Sequence, residues 1–204
     1  LYTEPDGTFP NHVADPTVPE NLEDLVATVK AEHADLGLAT DGDADRVGAV
    51  DDLGNIVWGD RLLILFARDL LKRQPGADVI FDVKCSQAVV EDVKAHGGNP
   101  IMWRVGHSHI KAKMKEAGAP LAAEMSGHMY FAENWYGFDD GIYSACRLAE
   151  LVSRSNKPFS QMLDDAPHYV NSPEIRVSCP DDVKFQVVER LLDYFRQRHP
   201  AIDI

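Results

Sequence analysis

Asp41, Asp43 and Asp45 stand at alternate positions in Asp41-Gly42-Asp43-Ala44-Asp45-Arg46, directly after the apolar run Ala34 to Thr40. Three carboxylates so close repel one another unless a cation compensates them, and hard oxygen ligands converging on one point suit Mg²⁺. A bare, solvated acidic loop is the plainer alternative. The EF-hand Ca²⁺ loop also opens Asp-x-Asp-x-Asp, but it requires Gly at its sixth position and Glu at its twelfth. This chain has Arg46 and Asp52 there. Magnesium held by three carboxylates still leaves a net negative charge, so a phosphoryl group could join only beside further cations; Arg46 is one.

A second set of chemical residues follows three strand-length runs. Lys84 comes after Asp78 to Val83, Gly106-His107 after Ile101 to Val105, and Glu124-Met125-Ser126-Gly127-His128 after the strand that opens at Pro120. The carboxyl ends of parallel strands share one edge, where ligands bind, so Lys84, His107, Glu124, Ser126 and His128 are expected to face one crevice. Each has a bland alternative: Lys84 as a solvated lysine, His107 as part of a helix cap. Glu124, at the margin of an apolar strand, needs a partner, which a pair of sugar hydroxyls or a cation would supply. The aromatic group Tyr130, Phe131, Trp135, Tyr136 and Phe138 reads as packing, and Cys85 and Cys146 as small core residues.

The elements that must position these residues are legible in outline. Pro5, Pro10, Pro16 and Pro19 make residues 1 to 20 an extended arm. Asn21 is expected to cap a helix ending near His33, with Leu22, Leu25, Val26 and Val29 on one face. Val47 to Val50 and Ile56 to Trp58 flank Asp52-Leu53-Gly54-Asn55, which is hairpin chemistry. Asp60 is expected to cap a helix to about Arg73, Ser86 one closed by Gly97-Gly98, and Ser108 one ended by Gly118. Strand, helix, strand, helix, strand at this spacing implies parallel strands joined by crossover helices. Helices follow at Gly141 to Arg154 and Phe159 to Asp164, then a linker at Asp165 to Pro173, an extended stretch at Glu174 to Cys179 and a helix at Asp181 to Arg198. The last strand and helix cannot make a core alone and read as the opening of a further domain.

Composition limits the function classes. Of 204 residues, 45% are hydrophobic and 26% charged, an ordinary globular balance. Twenty Lys and Arg against 33 Asp and Glu give a net charge of −13, which disfavours a nucleic-acid partner. Three separated cysteines build neither a disulfide framework nor a zinc site and fit a reducing compartment, the cytoplasm. The longest apolar run, around Leu62 to Ala67, is far short of the roughly 20 residues a bilayer span needs, so no membrane association is expected. The chain begins at Leu1, as a trimmed terminus or a piece of a longer chain would.

Together the motifs resemble a known family. Asp41-Gly42-Asp43-Ala44-Asp45-Arg46 is similar to the metal loop of the α-D-phosphohexomutases. Glu124-Met125-Ser126-Gly127-His128 is similar to their sugar-recognition loop in the bacterial phosphomannomutase/phosphoglucomutase branch. Asp82-Val83-Lys84-Cys85-Ser86 and Val105-Gly106-His107-Ser108 resemble two further segments, and all four occur in the family's order. The resemblance implies an α/β fold of mixed, largely parallel sheets with crossover helices, in a partial phosphohexomutase-type multidomain architecture. It further implies that residues 1–57 end domain 2, that 58–165 form domain 3 and that 166–204 begin domain 4, with N- and C-terminal domains of the same polypeptide missing.

Roles follow from the same resemblance. Asp41, Asp43 and Asp45 would ligate Mg²⁺, with Arg46 between metal and substrate. Glu124 and Ser126 would hold the sugar's 3- and 4-hydroxyls, while Lys84, His107 and His128 would contact substrate or assist proton transfer. Family chemistry carries phosphoryl between an active-site phosphoserine and mannose or glucose 1- and 6-phosphate through a 1,6-bisphosphate. Position 123 is Ala where the pattern usually has Gly. Neither the phosphoserine loop Thr-Ala-Ser-His-Asn-Pro nor the fourth-domain loop Arg-x-Ser-Asn-Thr-x-Pro occurs in these residues, and Arg154-Ser155-Asn156-Lys157-Pro158 matches neither spacing. The chain alone is therefore expected to be inactive. A phosphoglucosamine mutase, an aspartyl-nucleophile phosphatase using Asp41 and Asp43, and a non-catalytic sugar-phosphate-binding module remain as alternatives.

Overall fold

In the computed structural model the described residues are 1–4, 6–170 and 177–200. Contacts divide the chain into two units, Leu1–Tyr169 and Val170–Ile204. No helix among the described residues is long and apolar enough to cross a membrane.

The first unit opens with an irregular arm and a short 3-10 turn, Pro19–Leu22, leading into α1 (Glu23–Glu32). Asn21 does not cap this helix. Its amide donates instead to the Asp15 carbonyl, and Leu22 stands at the cap position of the helix without a side-chain cap bond. Strands β1 (Leu36–Thr40), β2 (Val47–Asp51) and β3 (Ile56–Val57) form an antiparallel sheet in that order. The acidic loop is the β1–β2 turn. The Asp52 to Asn55 hairpin lies between β2 and β3, and Gly54 takes φ +82°, where a side chain is strained.

The chain then runs through α2 (Gly59–Arg73), β4 (Asp78–Asp82), α3 (Gln87–Ala95), β5 (Asn99–Trp103), α4 (His107–Ala117), β6 (Leu121–Ala123), β7 (Met129–Phe131) and α5 (Gly141–Arg154). The sheet order is β5-β4-β6-β7. Both β5 and β6 run parallel to β4, as the alternating pattern requires, while β7 pairs antiparallel to β6. That last strand is missing from the sequence-based reading. Residues 124–128 are therefore the tight connection between paired strands, with Leu121 opposite Phe131 and Ala123 opposite Met129.

Two expected caps are corrected. Asp60 is buried and accepts from the Ser86 backbone amide, joining α2 to the start of α3, while the residue before α2 is Trp58. α4 begins at His107 after Gly106, which takes φ +121°, so Ser108 lies inside the helix. Ser86 does cap α3 through the Ala88 amide, and Gly118 closes α4 in the left-handed region.

Leu62 to Ala67, Val79, Phe81, Val89, Leu121, Met129, Phe131 and Leu148 share one core across α2, β4, α3, β6, β7 and α5. Ile80, Ala122 and Tyr130 pack with Ile110 and Met114 on the other sheet face. Residues 159–167 are held to α2: Arg61 donates to the Leu163 and Pro167 carbonyls, and Arg68 to Asp165. Cys85 is buried as expected; Cys146 is exposed, which corrects its reading as core. Tyr130 and Phe131 are buried, but Tyr136 and Phe138 are exposed and stack on one another. The second unit carries α6 (Lys184–Arg198), none of whose residues is buried. Of the extended stretch expected at Glu174 to Cys179, residues 174–176 lie outside the described residues, and 177–179 form no strand.

Candidate active site

The acidic loop leaves β1 through a turn in which the Ala44 amide donates to the Asp41 carbonyl and Ala44 takes φ +59°. A left-handed alanine costs about 1–2 kcal/mol. Here it is held because the Gly141 amide donates to the Ala44 carbonyl at 2.9 Å. Gly141 can approach only because it lacks Cβ, which would lie 2.5 Å from the Arg46 carbonyl and 2.8 Å from that of Ala44. Carboxylate oxygens of Asp41, Asp43 and Asp45 lie within 4.8 Å of one another.

Arg46 closes this loop. Its Nε donates to Asp41 Oδ2 at 2.6 Å and its backbone N–H to Asp41 Oδ1 at 3.1 Å. Burial works against the Asp41 charge, but the Arg46 bonds prevail and hold its pKa below the ordinary value. Asp45 moves the other way: burial raises it, the Asp41 and Asp43 charges add to that, and His128 opposes. Three carboxylates with oxygens this close are a donor set that fits a hard metal ion, whose charge would offset their mutual repulsion.

The connection between β6 and β7 meets the acidic loop directly. Arg46 and His128 form an antiparallel β-bridge, and the Val47 amide donates to the Gly127 carbonyl at 3.1 Å. Gly127 takes φ +95°, and a Cβ there would lie 2.5 Å from the Val47 carbonyl. His128 Nε2 is 3.3 Å from Asp45 Oδ1, and its Nδ1 is 2.9 Å from Ser126 Oγ. The His107 and His128 rings stack at 6.2 Å between centroids. Asp45, Arg46, Ser126, His107 and His128 are thus brought together.

Glu124 is met from within the protein. Its carboxylate, 2% exposed, already has protein partners: Oε1 accepts from the Gly106 amide at 2.7 Å and Oε2 from the Tyr130 hydroxyl at 2.6 Å. Burial, then the Glu124 carboxylate, raise the Tyr130 pKa well above its ordinary value. Lys84 is exposed just beyond β4, where its charge acts on Asp82. Asp82 is fully buried; it accepts from the Lys84 amide at 2.8 Å and the Met125 amide at 3.0 Å, tying the two loops together.

Three contributors escaped the sequence reading. Asp139 lies near two nitrogen-bearing side chains of α4, its Oδ1 accepting from Lys111 at 2.8 Å and its Oδ2 3.3 Å from His107 Nδ1. Tyr130 was legible only as packing. Asp15, in the proline-rich arm, accepts from Arg46 Nη1 at 3.1 Å. Asp139 and Asp15 act through partners distant in sequence, which spacing does not encode, and Tyr130 reaches Glu124 across the β6–β7 pairing.

Two family models match the first unit of the chain. Residues 58–169 match the family model described as phosphoglucomutase/phosphomannomutase, alpha/beta/alpha domain III, and residues 1–54 match domain II. The chain is 55% identical over 191 residues to a phosphomannomutase/phosphoglucomutase of Pseudomonas aeruginosa, covering 94% of this chain and 41% of that protein. It is 52% identical over 192 residues to a phosphoglucomutase of Neisseria gonorrhoeae, covering 94% and 42%. A crystal structure of a phosphoglucomutase/phosphomannomutase family protein from Burkholderia thailandensis superposes with TM-score 0.81 at 51% identity, covering 85% of this chain and 38% of that one. The chain therefore spans about two fifths of the length of these curated relatives.

Proposed function

This chain belongs to the phosphoglucomutase/phosphomannomutase family, and we propose that it supplies the metal loop and the sugar-recognition loop of a Mg²⁺-dependent phosphohexomutase acting on mannose and glucose phosphates. The observation that carries the reading is the contact between the two loops: His128 Nε2 lies 3.3 Å from Asp45 Oδ1 beside the Arg46–His128 bridge. A phosphoryl acceptor held by one loop is then beside the cation site of the other.

Asp41, Asp43 and Asp45 would hold Mg²⁺, which supplies charge compensation for a transferring phosphoryl group. Arg46 adds a fixed guanidinium to the same task. Glu124 and Ser126 hold the sugar's 3- and 4-hydroxyls; the Glu124 oxygens bonded to Tyr130 and Gly106 each keep a second lone pair for this. His107 and His128 exchange protons with the reacting hydroxyl, and Lys84 meets the substrate's anionic end. With the 2-hydroxyl ungripped, glucose and mannose phosphates are both accommodated. The phosphoserine loop is not among the 204 residues, so the piece alone does not turn over. Its three unpaired cysteines accord with a cytoplasmic enzyme.

The test is phosphorus NMR on the full-length protein with Mg²⁺, a catalytic amount of glucose 1,6-bisphosphate, and mannose or glucose 1-phosphate. Conversion of both to the 6-phosphates is expected. Release of inorganic phosphate without isomerisation would replace this reading with the aspartyl-phosphatase one.

A further inference from the structure

Arg46 is held by two carboxylates that come from different parts of the chain. Asp41, in its own loop, accepts from Nε. Asp15, 31 positions earlier, accepts from Nη1 at 3.1 Å. This leaves Nη2 without a protein partner among the described residues.

Asp15 is itself fixed on several sides. Its Oδ1 accepts from the Thr17 amide at 3.0 Å and the Thr17 hydroxyl at 2.7 Å, and its carbonyl accepts from the Asn21 amide group at 2.9 Å. Pro16, immediately after it, is buried against β2 at Gly48. A Cβ at Gly48 would lie 2.6 Å from Pro16 Cβ, so the close approach of arm to strand depends on that glycine. The arm is thus anchored one residue from the carboxylate it presents, on the strand that begins one residue after Arg46. Asp15 and Arg46 are carried by segments packed on each other, which fixes the distance between them.

We propose that Asp15 is a positioning residue for phosphoryl transfer. By holding Nη1 it removes the freedom of the guanidinium to turn about its long stem, and it reserves Nη2 as the donor for the phosphoryl oxygens. The inference rests on the mutase reading above and deepens it. A planar guanidinium pinned at two of its three nitrogens is a preorganised donor, whereas one pinned only at Nε can rotate about the side-chain torsions and reorganises as charge develops. Asp15 touches neither substrate nor metal in this role.

The experiment is a double-mutant cycle in the full-length enzyme, with kcat and KM for glucose 1-phosphate as readouts. Asp15→Asn is expected to lower kcat about tenfold with KM changed less than about twofold, the pattern of a group acting through geometry at the transition state. In an Arg46→Gln background the same change is expected to alter kcat by less than about twofold, because there is no guanidinium left to position. Asp15→Glu, which keeps the charge but displaces it, gives a second cycle with the same expectation and serves if the asparagine variant folds poorly. Thr17→Val removes one of the bonds that orient Asp15 Oδ1 while retaining its charge, and is expected to lower kcat by less than Asp15→Asn does, again only while Arg46 is present.

Equal losses from Asp15→Asn in both Arg46 backgrounds would overturn the proposal, as would a Thr17→Val loss of kcat that persists undiminished in the Arg46→Gln background. A wild-type enzyme without mutase turnover would overturn the mutase reading and this inference together. Normal wild-type turnover with an uncoupled Asp15 would overturn this inference alone.

Discussion

Arg46 and His128 face each other across an antiparallel β-bridge, so the loop that gathers three aspartates and the loop that carries Glu124 and Ser126 share a backbone contact. The two sets of residues do not depend on long side chains reaching across a cleft. Their separation is set by main chain, and the glycines at the junction are where that setting can be broken.

Gly127→Ala is the first such break. The residue takes φ +95°, and its new methyl would be forced to 2.5 Å from the Val47 carbonyl, which is backbone and cannot swing aside. The conformational term alone is about 1–2 kcal/mol. Thermal melting of the full-length protein should fall by several degrees, and KM for sugar phosphate should rise more than kcat falls. An unchanged melting temperature would contradict the junction described.

Gly141→Ala acts on the acidic loop from behind. The added Cβ meets the Arg46 and Ala44 carbonyls at 2.5 and 2.8 Å, so the turn holding Ala44 in the left-handed region must open. Mn²⁺ affinity, used as a probe of the Asp41-Asp43-Asp45 set and measured by calorimetry, should weaken about tenfold or more, as displaced ligands lose their common focus. Affinity equal to wild type would show that the loop does not need this support.

Tyr130→Phe leaves Glu124 Oε2 buried without the hydroxyl that now donates to it. An unsatisfied buried acceptor costs about 1–3 kcal/mol, more when charged. Urea denaturation should show a loss of that size. KM should rise as well, since the Gly106 amide is then the remaining hydrogen-bond donor to the Glu124 carboxylate among the described residues.

Arg68 joins α2 to the buried Asp92 and to Asp165, which lies between the core residues Leu163 and Ala166. Arg68→Ala should cost about 3–5 kcal/mol, as removal of one partner of a buried pair does. The Asp165 carboxylate is held below its ordinary pKa, chiefly by the Arg68 bond and against slight desolvation. Its stabilising contribution is therefore present above the unfolded pKa near about 3.9 and is lost as pH falls through the lower folded value. Carboxyl NMR titration should find Asp165 depressed in the wild type and restored towards the ordinary value in Arg68→Gln.

How far the sequence carried can be seen residue by residue. The acidic loop, the glycine that ends α4 and the span Gly141–Arg154 of α5 are local patterns, and the structure has them where spacing placed them. Caps fared worse: Asn21 and Asp60 have the right chemistry, but nearby carbonyl and amide groups of other segments claim their side chains. β7 is only three residues long and owes its strand to pairing with β6, which no local period announces. Glu124 correctly looked like a carboxylate in need of a partner. Its nearest ones, the Tyr130 hydroxyl and the Gly106 amide, come from neighbouring strands and loops.

Diffraction from the full-length protein soaked with Mn²⁺ and mannose 1-phosphate tests the central claim most directly. One anomalous peak among the Asp41, Asp43 and Asp45 carboxylates, with the sugar's 3- and 4-hydroxyls on Glu124 and Ser126, is the predicted result. A cation bound elsewhere, or a sugar seated away from the β6–β7 connection, would contradict it.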